Sequence, residues 1–448
     1  MYGRSLRSPF WAGASPASTL LLSHSQALIL EFAEVAINVM NQRETERLRK
    51  TEVRVQDEIG REIESLRGRS DYMTGYDYFI DLLAGGIEPD ALEKRAGKPA
   101  LNLLCVQAPL ELIHAAGFLP FKIFSGSHAA GSLGADGRIP ALACPLIKSV
   151  RGFLRLKDSF SGRPWVLPTT CDWIVKLPQI LRMENPNITR IFHCVELPHL
   201  KEGADAREKW IAEIFGLKKF LEKTSGIKID RKRLSASIAV YNRAWESLSR
   251  IEECRRVGAI SFVWFLVITN SFFLDAPERW TEAVNALVPN LRDGKRGSGR
   301  VFFAGSPVFF PNFKIPLLLE ESGLTVTGDD LCSSGRIFPG GIKSGGASEY
   351  EMIADMAGRY HEGCLCPTFA DNDRRINGIL GNAGNFEGVV FHVLKGCHPY
   401  DLESCLLEEP IMRRGLKFLR LETDYAAEDK RNLSTRIEAF AQTLGELK

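Results

Sequence analysis

Short apolar runs alternate with amphipathic stretches in two parts of the chain. In the first part, residues 101–195, the apolar runs are rich in β-branched and aromatic residues, and helical spacing lies between them. Runs of this kind predict strands, and the spacing between them predicts helices. We predict strands at 101–106, 120–124, 166–167 and 191–195, with helices at 109–116 and 172–182.

The same pattern returns after residue 300. Strands are predicted at 301–304, 325–326, 389–394 and 418–422, with helices near 314–322, 349–360, 372–380 and after Asp429. Alternation of strand and helix favours parallel sheets joined by right-handed crossovers. We therefore predict an α/β protein with two doubly wound, flavodoxin-like sheets whose ligand-binding edges face one cleft.

Helical pattern without strands precedes and separates these two parts. Residues 293–300 have linker composition and suggest a boundary. We predict a helical N-terminal region at 1–95, a first α/β domain at 96–204, a helical connector at 205–292 and a second α/β domain at 293–448. Residues 1–39 fit no recognised pattern, and we interpret them as a spurious extension before Met40 or as a disordered segment.

The predicted strand at 389–394 ends at a sharp turn. Gly396 allows the backbone to turn, Pro399 blocks further strand pairing, and Asp401 is placed to cap a helix over 402–413. Cys397 is therefore predicted at the tip of a strand-to-helix turn. Open α/β sheets bind their ligands at this edge.

Cysteines recur at this type of position. Of the ten cysteines, Cys105, Cys171, Cys332 and Cys397 each follow a predicted strand. Facing sheet edges could bring several thiolates into one cleft, where they would select an iron–sulfur cluster or zinc. The alternative is that each is a buried small apolar residue, which is the common role of a free cysteine. The chain lacks a Cys-x-x-Cys pair, which disfavours a zinc ribbon or a bacterial ferredoxin motif.

Composition narrows the class of protein. Lys and Arg number 57 against 55 Asp and Glu, so the chain lacks the clear excess of positive charge that is typical of nucleic-acid-binding proteins. Residues 260–274 are apolar but too short and too interrupted to span a bilayer, and we predict a buried helix there. Without an evident signal peptide, the cysteines are expected to be reduced cytoplasmic thiols rather than disulfides.

Several motifs, in order, resemble those of the 2-hydroxyacyl-CoA dehydratase and benzoyl-CoA reductase family. They are CVQAPLELIHAAGFLP at 105–120, CPLIKSVR at 144–151, LPTTCD at 167–172, GSP at 305–307, DDLCSSGR at 329–336 and KGCHPYD at 395–401. The resemblance covers about residues 98–448. One departure is Leu110, where relatives often carry a second acidic residue, and this leaves the substrate open.

The resemblance implies an oxygen-sensitive 4Fe-4S cluster held by three cysteines in a cleft between α/β domains. Motif matching gives that role to Cys144, Cys171 and Cys397. Relatives with a double-cubane 8Fe-9S cluster use further cysteines, and Cys105, Cys332 and Cys366 would suit the second cubane. Three cysteines would leave one iron of a cluster open for substrate.

The resemblance also implies partners. Family members receive a low-potential electron from an ATP-hydrolysing activator iron–sulfur protein, and this chain has no Gly-x-x-x-x-Gly-Lys-Ser/Thr phosphate loop of its own. A second dehydratase or reductase subunit, or a second copy of this chain in a dimer, is the other expected partner. The substrate would be an acyl-CoA.

Three residues are candidates for proton transfer and contact with the site. Glu111 is expected beside the cleft, where desolvation would raise its pKa, or else it is a first-turn carboxylate favoured by the helix dipole. His114 lies three residues on, and His398 could bond a cluster sulfur or substrate. Arg151 and Arg336 could hold a carboxylate or a CoA phosphate, the alternative being surface salt bridges.

The sequence thus predicts an iron–sulfur subunit that dehydrates or reduces an acyl-CoA by one-electron chemistry. One alternative is a double-cubane reductase of small molecules without a CoA site. The other, from a different class, is a non-catalytic protein that stores metal or transfers electrons.

Overall fold

The computed structural model describes residues 24–86, 88–160, 162–184, 192–292, 299–338, 340–343, 348–363, 365–381 and 385–445. Residue contacts divide the chain into two compact units, Met1–Lys50 and Thr51–Lys448. Helix α1 spans His24–Arg67, and α2 (Asp77–Ala84) and α3 (Pro89–Ala96) follow it. Most of the segment suspected to be spurious, residues 1–23, lies outside the described residues.

The first sheet contains four parallel strands in the order β2-β1-β3-β4. The strands are β1 (Ala100–Leu103), β2 (Leu119–Lys122), β3 (Trp165–Pro168) and β4 (Phe192–Val195). The helices are α4 (Leu110–Ala115), α5 (His128–Gly134), α6 (Pro145–Leu156) and α7 (Asp172–Glu184). β1, β2 and β3 are buried along their whole length, as expected for strands of a covered parallel sheet.

The region between the sheets is helical, as predicted. It holds α8 (Ala204–Ser225), α9 (Arg231–Arg256), α10 (Phe262–Ser271) and α11 (Pro277–Leu287). Every residue of α10 except Asn270 is buried, which confirms the buried helix predicted from the apolar run. Among the residues that the structure describes, no helix is long and apolar enough to cross a membrane.

The second sheet repeats the topology of the first, with four parallel strands in the order β6-β5-β7-β8. Its strands are β5 (Gly299–Gly305), β6 (Leu324–Asp329), β7 (Gly388–Leu394) and β8 (Lys417–Thr423). Its helices are α12 (Lys314–Glu321), α13 (Glu349–Gly363), α14 (Asn372–Leu380), α15 (His398–Arg413) and α16 (Lys430–Gly445). The predicted α/β class with two parallel sheets is confirmed.

Two details differ from the sequence-based expectation. Helix α15 begins at His398, about one turn earlier than predicted, and Pro399 lies in its first turn, where a missing N–H donor costs nothing. Cys397, rather than Asp401, is the N-cap residue. Residue contacts place both sheets in the single unit Thr51–Lys448 and mark no boundary between them. The predicted division into an N-terminal region, two α/β domains and a helical connector stays a prediction.

Candidate functional site

Four of the six cysteines singled out from the sequence lie beyond the carboxyl ends of strands. Cys105 follows β1, Cys171 follows β3, Cys332 follows β6 and Cys397 follows β7. Loops at these ends of the two sheets contact each other, since the Gly126 N–H donates to the Phe310 carbonyl (3.0 Å) and the Lys122 Nζ donates to the Cys332 carbonyl (2.8 Å). The ligand-binding edges of the two sheets therefore meet.

Cys397 and Cys144 are brought together by a close approach of two backbone segments. Gly396 has a positive φ of 75°, and a Cβ atom added there would overlap the carbonyl oxygen of Leu142. Glycine is required at this position for both reasons. The residue after Gly396 is thus held beside the segment that leads into Cys144, and each of these cysteines is the N-cap of a helix.

The turn that carries Cys397 is supported from β5. Gly305, with φ of 104°, lies against the backbone of His392, and the Ser306 N–H donates to the His392 carbonyl (2.7 Å). The Ser306 Oγ accepts a hydrogen bond from the Leu394 N–H (3.0 Å) and also bonds the Cys397 thiol. The Gly-Ser-Pro motif at 305–307 therefore fixes the end of β7.

Cys144, Cys171 and Cys397 form what we call the first thiol set. Burial, with a smaller contribution from Cys171, raises the pKa of Cys144 to about 12. Burial also raises the pKa of Cys397, with further contributions from Cys144 and Cys171. The three thiols thus lie close enough to influence one another electrostatically, and their role as cluster ligands stays a prediction.

Cys105, Cys332 and Cys366 form the second thiol set. Burial lowers the pKa of Lys122, and this effect is opposed by Cys332 and Cys105. Arg336 interacts with Cys366 and Cys332. The two sets adjoin, because Cys366 contributes to the raised pKa of Cys171, after burial and Asp172. Cys364, the close neighbour of Cys366 in sequence, lies outside the described residues.

The tyrosine in the turn after β8 faces both sets. Burial raises the pKa of Tyr425, and Cys144, Cys397 and Cys332 raise it further. Its hydroxyl is buried and has no hydrogen-bond partner among the described residues. A buried hydroxyl without a partner is costly, so its position among three thiols fits a group that would accept its hydrogen bond.

Within the described ranges, no group of three or more His, Cys, Asp or Glu side chains is close enough to hold one metal ion. A single zinc ion would need its sulfur ligands about 2.3 Å from the metal. A multinuclear cluster distributes its ligands over several irons and accommodates a wider spacing. The cofactor held by the two thiol sets therefore stays a prediction.

Glu111, in the first turn of α4, is buried next to two tyrosines. Its Oε2 accepts a hydrogen bond from the Tyr360 hydroxyl (2.9 Å), and Tyr241 lies near it with a hydroxyl that bonds no described residue. Burial raises the pKa of Glu111 to about 7. Burial also raises the pKa of Glu62 and Glu252 to about 7, so the shift by itself does not distinguish Glu111.

The two candidate histidines have different surroundings. His114 packs against α9, with its Nδ1 3.0 Å from the Ser237 Oγ and its Nε2 3.1 Å from the Lys98 Nζ. Burial lowers the pKa of His114 to about 4, with Lys98 adding to the effect. His398 is exposed at the first position of α15, directly after Cys397. His398 is therefore the one whose ring is open to a ligand.

The two candidate arginines also differ. Arg151 is 1 % exposed and bonds Asp136, Glu184 and the Gly134 carbonyl, so its guanidinium is committed to contacts around the first sheet. Arg336 donates from Nη2 to the Tyr400 hydroxyl (2.8 Å), while its Nε and Nη1 are buried without a partner among the described residues. Of these two arginines, Arg336 is the one that keeps donors available for a bound group.

Three residues of the site were not found from the sequence: Lys122, Ser306 and Tyr425. Lys122 ends β2 within the otherwise apolar run Leu-Pro-Phe-Lys-Ile-Phe at 119–124, and that interruption was the available signal. Ser306 lies within the Gly-Ser-Pro motif, but the motif alone gave it no role. Tyr425 has no signal in the sequence, because its position depends on the turn after β8.

The amino-acid sequence matches the family of the 2-hydroxyglutaryl-CoA dehydratase D-component over residues 105–444. This span covers both sheets, apart from the first strand, and all six cysteines of the two thiol sets. The chain belongs to this family. The family resemblance of the motifs is thereby confirmed, and the protein is an enzyme component of the dehydratase and reductase type.

Curated relatives of the D-component family match most of the chain. This chain is 27% identical over 367 residues to "Putative dehydratase subunit YjiM" of Escherichia coli (strain K12), and the match covers 78% of this chain and 93% of that protein. It is 24% identical over 373 residues to the beta subunit of lactoyl-CoA dehydratase from Anaerotignum propionicum, covering 79% and 94%. It is 21% identical over 364 residues to the beta subunit of (R)-2-hydroxyglutaryl-CoA dehydratase from Acidaminococcus fermentans, covering 78% and 94%. Each of these relatives is named as a subunit.

Proposed function

We propose that this D-component protein is the iron–sulfur subunit of an enzyme that dehydrates a 2-hydroxyacyl-CoA or reduces an acyl-CoA. The 4Fe-4S cluster is held by Cys144, Cys171 and Cys397. The observation that supports the proposal is the close approach of Gly396 to the Leu142 backbone, one residue before Cys397 and two residues before Cys144. When bound, such a cluster supplies one-electron chemistry and an iron open to substrate.

The protein's own residues give the site its other properties. Cys144 and Tyr425 are buried and the other five cysteines of the two sets are half-buried, which limits the access of water to the thiols. Glu111, whose pKa lies near 7, holds a proton that it can donate or accept at neutral pH. His398 lies at the exposed edge of the site, where it can contact an incoming acyl group or its thioester.

The partners follow from the same proposal. The family resemblance implies that the electron comes from an ATP-hydrolysing activator iron–sulfur protein, and the lack of a Gly-x-x-x-x-Gly-Lys-Ser/Thr motif in this sequence fits that division of labour. A second dehydratase or reductase subunit, or a second copy of this chain, completes the enzyme. The relatives' names as subunits support such an assembly.

A second candidate is a double-cubane reductase that acts on small molecules without CoA. The observation in its favour is that the second thiol set adjoins the first, with Cys366 near Cys171 and with Tyr425 near cysteines of both sets. Cys105, Cys332 and Cys366 would then hold a second cubane, giving an 8Fe-9S cluster. A non-catalytic storage or electron-transfer protein is disfavoured, because the family is one of enzyme components.

Anaerobic purification followed by iron and sulfide analysis tests these proposals. About four irons per chain support the first candidate, and about eight support the second. Bound zinc without iron would overturn both. Substrate range then separates a CoA enzyme from a small-molecule reductase: activity with 2-hydroxyacyl-CoA esters, in the presence of activator and ATP, is expected only for the first.

A further inference from the structure

The second thiol set is surrounded by buried positive charge. The Lys122 ammonium donates to the Cys332 carbonyl, and it lies over the rings of Phe309 (4.8 Å) and Phe124 (5.3 Å). Lys122 is 6 % exposed. Its surroundings are therefore aromatic and dry, and the described residues place no carboxylate within ion-pair distance of it.

Arg336 is the second buried cation at this set. Its Nε and Nη1 are shielded from solvent and bond no atom of the described residues. Asp330 and Glu403 both direct their hydrogen bonds to the guanidinium of Arg375, so Asp330 acts on Arg336 only through space and leaves these donors unbonded. A buried guanidinium with two idle donors is unfavourable unless an anion occupies the space in front of it.

The first thiol set has a different electrostatic environment. Lys148 is the cation that lowers the pKa of Cys144, and it is partly exposed and donates to the Ala141 carbonyl (2.6 Å). Charges exposed to water are screened, whereas buried charges act strongly over the same distance. The two adjacent sets thus differ in buried charge although both consist of three thiols.

We propose that Arg336 and Lys122 hold the negative charge of a cluster ligated by Cys105, Cys332 and Cys366, and raise its reduction potential above that of the centre at Cys144, Cys171 and Cys397. The inference rests on the double-centre form of the proposed function. Nearby positive charge and hydrogen bonds to cluster sulfurs stabilise the reduced, more negative state. One electron from the low-potential donor therefore reduces the centre on the Cys332 side first, and the donor is oxidised by one electron.

Arg336 and Lys122 are positioning residues in this proposal, because they act through the charge of the centre. The test compares anaerobically purified R336Q, R336K and wild-type protein in a redox titration followed by electron paramagnetic resonance, with iron analysis of each. We expect R336Q to keep its iron and to shift the potential of the first-reduced centre downward. R336K retains the charge and should restore most of the potential.

K395Q is the matched control. Lys395 lies two residues before Cys397, but it is exposed and paired with Asp424, so its charge is screened. K395Q should leave both potentials unchanged. If R336Q loses iron, K122M is titrated in its place, and the same downward shift is required of it.

The possible outcomes separate the inference from the function on which it rests. An unchanged potential in iron-loaded R336Q, or in K122M where R336Q loses iron, would overturn the inference. A second result would also overturn the inference: about four irons per chain in wild type, with no iron lost in Cys366→Ser. That result would leave the first thiol set as the site of a single cluster. Absence of iron from wild type would overturn the proposed function itself.

Discussion

The two thiol sets have the same composition but differ in the buried charge beside them. In the first, burial raises the pKa of Cys144 and Cys397, and the geometry depends on a close backbone approach at Gly396. In the second, the buried cations Lys122 and Arg336 lie beside the thiols. The difference shows that strand ends place four of the six cysteines at this edge, whereas the residues packed around them, Lys122 at the end of β2 and Arg336 in the loop after β6, decide what charge the site stabilises.

Replacing Gly396 with alanine should have the largest effect on this comparison. The new Cβ would overlap the Leu142 backbone and would also sit at a positive φ. We expect a loss of about 3 kcal/mol or more in the free energy of unfolding of the apo-protein, measured by denaturant titration.

Gly415→Ala is the control for that substitution. Gly415 has a similar φ of 79°, but a Cβ there would meet nothing within 4 Å. It should therefore lose only about 1 kcal/mol from backbone strain. Equal losses in the two variants would show that the contact with Leu142 does not hold the first set together.

Glu111→Gln should change the pH dependence of stability. The pKa of Glu111 is about 7 in the folded protein against a usual 4.5, so the folded state binds the proton more tightly. The contribution of Glu111 to the unfolding free energy is therefore greatest below pH 4.5, and it is lost as the pH rises toward 7. We therefore compare the unfolding free energy of the variant with that of wild type at two pH values. Between pH 4.5 and pH 8 this difference should shift in favour of the variant by up to about 3 kcal/mol.

Unfolding free energies measured at several pH values check this expectation. Glu62 and Glu252 contribute with the same sign, so the variant should flatten the profile only in part. A profile that is the same in variant and wild type would show that Glu111 is ionised in the folded protein and would remove the reason for assigning it a proton at neutral pH.

Ser306→Ala should weaken the turn that carries Cys397. The substitution removes the acceptor for the Leu394 N–H and the bond to the Cys397 thiol. A loss of about 1–2 kcal/mol is expected in the apo-protein, because a buried N–H is left without a partner. Ser434→Ala, on the exposed face of α16, should change stability by less than about 0.5 kcal/mol, and a comparable loss there would remove the special role of Ser306.

Tyr425→Phe should have the smallest effect on the apo-protein. Its hydroxyl is buried and bonds no described residue, so its removal should leave the unfolding free energy unchanged or raise it by about 1 kcal/mol at most. Tyr360→Phe is the comparison, because the Tyr360 hydroxyl donates a hydrogen bond to the Glu111 carboxylate and accepts one from the Leu110 N–H. Loss of these two bonds should lower the unfolding free energy by about 1–2 kcal/mol. A large loss of unfolding free energy in Tyr425→Phe would mean that the Tyr425 hydroxyl already makes a hydrogen bond in the apo-protein, with no cluster bound.

Much of the scaffold could be predicted, because it depends on local pattern. The apolar run before Cys397 predicted β7 to within one residue, and α14 was predicted at its observed bounds, 372–380. The start of α15 was predicted late, because Pro399 was interpreted as a breaker although proline is tolerated in a first helical turn.

The electrostatic part of the site could not be predicted in the same way. Arg151 was a candidate for binding an anion, but it pairs with Asp136 and Glu184, which are 15 and 33 residues away in sequence. Lys122 meets Cys332 across 210 residues. Pairings of this length depend on how two sheets meet, and a pattern of neighbouring residues carries no information about them.

The convergence of Cys144, Cys171 and Cys397 is the central claim, and anomalous diffraction at the iron absorption edge from anaerobically grown crystals tests it most directly. We expect an iron peak bounded by these three sulfurs. Absence of iron between these three sulfurs, or sulfurs separated by more than roughly 10 Å, would contradict the claim.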